Sequence, residues 1–153
     1  MRIEWIISCR YAERQADGTL TMSGAGVDTV WVRGDALPAN FGLVAAIRLI
    51  GERTHEVLEP HDLVVYLTRP DAEREQLVGA RIQGEEPVGV MPGGGVPLMF
   101  PMAIGVTATS FGVHLFDFVL DDSTESWSVP FLVRPASEQP AADAPAQLAQ
   151  QPS

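Results

Sequence analysis

The chain is 153 residues long, enough for one domain of ordinary size with room for a tail, and its composition of 46% hydrophobic and 20% charged residues is that of a globular protein. Ten basic residues against twenty acidic ones give a formal charge of −10, so neither duplex nucleic acid nor a polybasic attachment to membranes is expected. All ten basic residues are Arg, and the absence of Lys excludes Schiff-base catalysis and a P-loop lysine.

Arg2–Tyr11, rich in Ile and aromatic residues, reads as the opening strand. Glu4 interrupts what would be the apolar stretch of a signal peptide, and no small-x-small site follows, so no leader is expected. Cys9, the single cysteine, can form no disulfide within the chain; it reads as a buried inert thiol of a cytoplasmic protein. Ala16-Asp17-Gly18 supplies a turn, Thr19–Ser23 the return strand, and Gly24-Ala25-Gly26 a bulge or bend before Val27–Arg33 resumes β-type composition. Phe41–Gly51 alternates, with Ala45, Ile47 and Leu49 on one face and Val44, Ala46, Arg48 and Ile50 on the other; Leu43–Ile50 taken alone also fits a short helix.

His55 and His61, with Glu56, Glu59 and Asp62, match no zinc-ligand spacing and read as a solvated acidic connector. Leu63–Arg69 and Glu75–Gln83 flank Pro70-Asp71-Ala72 as a hairpin. Pro92-Gly93-Gly94-Gly95 is the most glycine-dense segment; without a following helix or a Lys it reads as a connector between sheets, not an anion cradle. Met99–Thr109 is a further strand, and Pro101 places it at an edge or bulge. The longest apolar run, Gly95 to Ala108, contains Pro97 and Pro101 and falls short of the ~20 residues of a membrane-spanning helix.

The last hairpin is the most regular. Gly112, His114, Phe116, Phe118 and Leu120 share one face, and Val113, Leu115, Asp117, Val119 and Asp121 the other. Asp121–Ser126 makes the turn and Trp127–Val133 returns. From residue 135 on, the Ala/Pro/Gln-rich segment has no aromatic or β-branched residue and reads as a disordered tail, leaving 1–134 as the folded domain. The pattern is all-β: an antiparallel β-sandwich of about seven to nine strands.

Asp17, Gly18, Leu20 and Gly24 after an opening strand, Pro60-His61-Asp62-Leu63 before a hairpin, and the closing Gly112-x-His-x-Phe-x-Phe-x-Leu-Asp hairpin with its Pro-Phe-x-Val return together resemble a family of small uncharacterised bacterial β-sandwich proteins. The resemblance implies an immunoglobulin-like or C2-like sandwich and carries no chemistry with it.

No nucleophile elbow surrounds Ser8, Ser23, Ser110 or Cys9, and no cofactor is expected. Asp117, Asp121, Asp122 and Glu125 are the candidate calcium ligands, but Asp-Asp-Ser-Thr is also ordinary turn chemistry. Trp5, Trp31, Trp127, Tyr11 and Tyr66 are an aromatic set that fits either a ligand face or the core. Several strands are apolar on both faces, so one set must face outward; Trp31, Val113 and Leu115 are the candidate interface residues. The expected role is a non-enzymatic cytoplasmic sandwich acting through a protein partner or self-association. The alternative is a small-ligand or calcium-binding module.

Overall fold

A computed structural model describes residues 1–85 and 95–140 of the chain. The strands are β1 (Arg2–Cys9), β2 (Tyr11–Arg14), β3 (Leu20–Ser23), β4 (Thr29–Val32), β5 (Ala39–Gly51), β6 (His61–Thr68), β7 (Glu75–Ile82), β8 (Val96–Ala108), β9 (Gly112–Leu120) and β10 (Ser126–Pro135), with one short helix, α1 (Thr54–Leu58). They form a three-stranded sheet ordered β1-β5-β8, a five-stranded sheet ordered β4-β10-β9-β6-β7, and the hairpin β2-β3. The protein is all-β. Among the described residues no helix is long and apolar enough to cross a membrane.

The two larger sheets contribute one face each to a common core. Leu43, Ala45, Ile47 and Leu49 of β5 meet Leu63, Val65 and Leu67 of β6, Phe116 and Phe118 of β9, and Phe131 and Val133 of β10. Alternation with a period of two explains this, because every second side chain of a strand points to the same face. An aromatic cluster forms part of this core: the Phe116 and Phe131 rings stack 4.7 Å apart, and the His114 ring lies 5.1 Å from Phe131. Burying a side chain of this size contributes about 1.5–3 kcal/mol.

Three expectations need correction. The opening strand divides at Arg10: β1 pairs with β5, whereas β2 turns away to pair with β3 across the Asp17-Gly18 turn, and this contributes to a count of ten strands among the described residues. The arrangement is not wholly antiparallel, because β4 runs parallel to β10, Thr29 opposite Leu132 through Val32 opposite Pro135. The segment before β6 is not a simple solvated connector, because α1 inserts Val57 into the core. Phe41–Gly51 lies in β5, as its alternation implies, and the helical alternative for Leu43–Ile50 falls away.

The expected boundary after residue 134 falls inside β10, and a single 3-10 turn follows at Ala136–Glu138. Residues 141–153 of the expected tail lie outside the described residues, as do Pro92, Gly93 and Gly94 of the glycine-rich connector.

Candidate functional site

The four acidic candidates do not converge. The Asp121 carboxylate turns inward: one oxygen lies 2.6 Å from His61 Nδ1, and the other accepts the Asp62 backbone N–H at 3.0 Å. Asp117 lies on the opposite sheet face, where it accepts the Ser128 hydroxyl and faces Arg74 Nε at 3.4 Å. Asp122 and Glu125 are exposed in the turn, where Asp121 and Asp122 both adopt a φ of 52°, a left-handed conformation that Asp tolerates better than most residues. Among the described residues, no three His, Cys, Asp or Glu side chains are placed to hold a metal ion.

His61, expected on a solvated connector, is buried at the start of β6. Its Nδ1 donates to Asp121 and its Nε2 to the Glu56 carbonyl of α1 at 2.5 Å. Both partners are acceptors, so both ring nitrogens must carry hydrogen, which only the imidazolium does. Burial opposes that charge, but the Glu56 carbonyl and the Asp121 carboxylate outweigh it and raise the His61 pKa. The dyad is therefore a clamp joining α1, β6 and the β9–β10 turn.

His114 lies wholly inside the core, with Nδ1 donating to the Gly112 carbonyl at 3.1 Å and Nε2 buried without a partner. Burial holds its pKa below the ordinary value, and the ring is neutral. Burial raises the pKa of the Cys9 thiol, which makes the group a poorer nucleophile.

The interface candidates share one surface. Register places Val113 opposite Leu132 and Leu115 opposite Pro130 on the outward side of the β9–β10 pair, and Trp31 opposite Arg134 across the β4–β10 pair. Val113 is 62% exposed in the body of a five-stranded sheet, while Leu115 and Trp31 are half-buried. Further along this face Arg74 lies 4.0 Å over the Tyr66 ring, so the same chain covers Tyr66 and Asp117. Sequence reasoning did not single out Leu132 and Pro130: alternation sets them on the face away from Val129, Phe131 and Val133, but only the pairing with β9 brings them beside Val113 and Leu115.

The aromatic set does not form one platform. Trp127 is 36% and Tyr11 49% exposed, on β10 and β2, while Trp5 lies in β1 on the other large sheet. No family model, curated protein or solved structure matches the chain.

Proposed function

We propose that this protein is a non-enzymatic, cytoplasmic β-sandwich of immunoglobulin-like or C2-like type, akin to the small bacterial proteins it resembles, and that it acts by pairing with a second copy through the outer face of its five-stranded sheet. The carrying observation is Val113, 62% exposed beside Leu115, Leu132 and Pro130. Contiguous exposed apolar patches larger than a few hundred Å2 mark interaction sites, and Val113 with its three neighbours is where such a patch would centre. The charge of −10 opposes non-specific clumping yet leaves this uncharged patch free to pair.

The non-enzymatic reading is supported by the surroundings of the nucleophile and base candidates: His61 has both nitrogens engaged, His114 is fully buried against the Phe131 ring, and Cys9 is buried. Sedimentation equilibrium at micromolar concentration tests the proposal. A dimer that Val113→Asp converts to a folded monomer is the expected result, and a wild-type monomer across that range overturns the self-association.

A further inference from the structure

We propose that the cleft around Trp31 binds a small organic anion, a carboxylate or sulfonate carried on an apolar body. Two open clefts flank β4. One, of about 400 Å3, is lined by Arg10, Trp31, Arg33, Val27, Leu43 and Gln139 among others. The second, of about 340 Å3, lies against Trp31, Arg33, Asn40 and Phe41. Trp31 and Arg33 thus belong to both, and the volumes fall in the range that holds small ligands.

The electrostatics here are opposite to those of the chain as a whole. Acidic residues outnumber Arg two to one, yet among the described residues no Asp or Glu lines either cleft. Arg48, Arg69, Arg74 and Arg134 each have a carboxylate partner; Arg10 and Arg33, like Arg2, Arg14, Arg53 and Arg81, have no ion pair among the described residues, and of these six only Arg10 and Arg33 line the clefts beside Trp31. A guanidinium presents a rigid fork of donors that matches a carboxylate, and the indole of Trp31 offers an apolar wall beside it. The net charge repels an anion at long range, but screening over about 8 Å at physiological ionic strength leaves the decision to the nearest groups.

The site is also braced. Gly24 has a φ of +60°, and a Cβ there would come within 2.9 Å of Arg10 Cγ and 3.0 Å of its Cδ, so the bare glycine lets the Arg10 stem lie against the backbone. The Val27 wall is fixed to β1: the Gly26 N–H donates to the Ser8 carbonyl at 2.7 Å, and the Ser8 hydroxyl donates to the Val27 carbonyl at 2.7 Å. A ligand anchored on Arg10 and Arg33 therefore meets a surface already in place, which lowers the ordering cost of binding.

The probe is 8-anilinonaphthalene-1-sulfonate, titrated into the native full-length protein at neutral pH and 150 mM salt and followed by its fluorescence. Saturable binding at one site is expected, weakened about tenfold or more by Arg10→Gln and by Arg33→Gln, as loss of a charge-assisted bond implies. Both arginines are exposed, so their variants should melt as wild type. Gly24→Ala should weaken the dye as well, through Arg10. Val113→Asp should leave it unchanged, which separates this site from the outer-face patch. Absence of saturable binding overturns the proposal, as does binding that survives both arginine substitutions or disappears in Val113→Asp.

Discussion

His61 and His114 are both buried, yet their surroundings push their protonation in opposite directions, and the pH dependence of stability should carry both signatures. The folded His61 holds its proton more tightly than the unfolded chain. Its stabilising contribution is full below the ordinary histidine value and fades as pH rises through the higher folded pKa. His114 is neutral when folded; the unfolded chain takes up a proton as pH falls through the ordinary value, and stability drops with it. In His61→Gln only the His114 effect remains, so urea midpoints should fall from pH 7.5 to pH 5.5, with an overall loss at low pH of about 1–2 kcal/mol from the two charge-assisted bonds. His114→Leu removes the orphaned Nε2 and should be more stable at pH 5.5 than at pH 8.5. Identical pH profiles for wild type and both variants would contradict these assignments.

At the level of the strand, β8 forms one border of its sheet over thirteen residues, Val96–Ala108, a length that invites pairing with another chain. Pro97 and Pro101 stand opposite Ile50 and Ala46, four residues apart and so on the same side of the ladder. A proline has no N–H to give, so both must occupy positions where the nitrogen points away from β5. The outer border consequently lacks two donors. The double substitution Pro97→Thr, Pro101→Thr should change stability by only ~0.5 kcal/mol, since neither nitrogen bonds to β5, but should promote association and turbidity on warming, read by light scattering. At a border of the five-stranded sheet, β7, a register shift in its pairing with β6 at Val65/Tyr66 distorts the ladder and so discourages the same pairing.

Elements of this kind were legible in the sequence because they are local. The alternation in Phe41–Gly51 and Gly112–Leu120 and the hairpin around Pro70-Asp71-Ala72 depend on neighbours a few residues away, and Pro101 stated its own border position. The parallel β4–β10 pair was not legible, because nothing in Thr29–Val32 encodes a partner at Leu132–Pro135. The His61 clamp was hidden for the same reason: its acceptors, Glu56 and Asp121, lie in α1 and beyond β9. Arg10 and Arg33 carry no motif that would single them out; only the fold brings both to one cleft with Trp31.

For the molecule as a whole, the C-terminal border of the fold lies beyond residue 134. Pro135 continues the ladder opposite Val32, and Ala136 and Gln139 line the larger cleft. Ending the chain after Pro140 should therefore leave the melting temperature unchanged, as the composition of 141–153 implies. Ending it after Arg134 should cost on the order of 1 kcal/mol, read as a drop of several degrees. Equal melting temperatures for the two truncations would show that the last turn adds nothing.

The parallel pair also sets a schedule for synthesis. Thr29 finds its partner only at Leu132, about a hundred residues later, and at the usual rates of about 5–20 residues per second that is about 5–20 seconds of translation. Through that interval the Val30-Trp31-Val32 stretch has been made, while the strand that flanks it among the described residues has not. The nascent chain thus carries an unsheltered sticky segment until β10 leaves the ribosome, and slow translation lengthens that exposure.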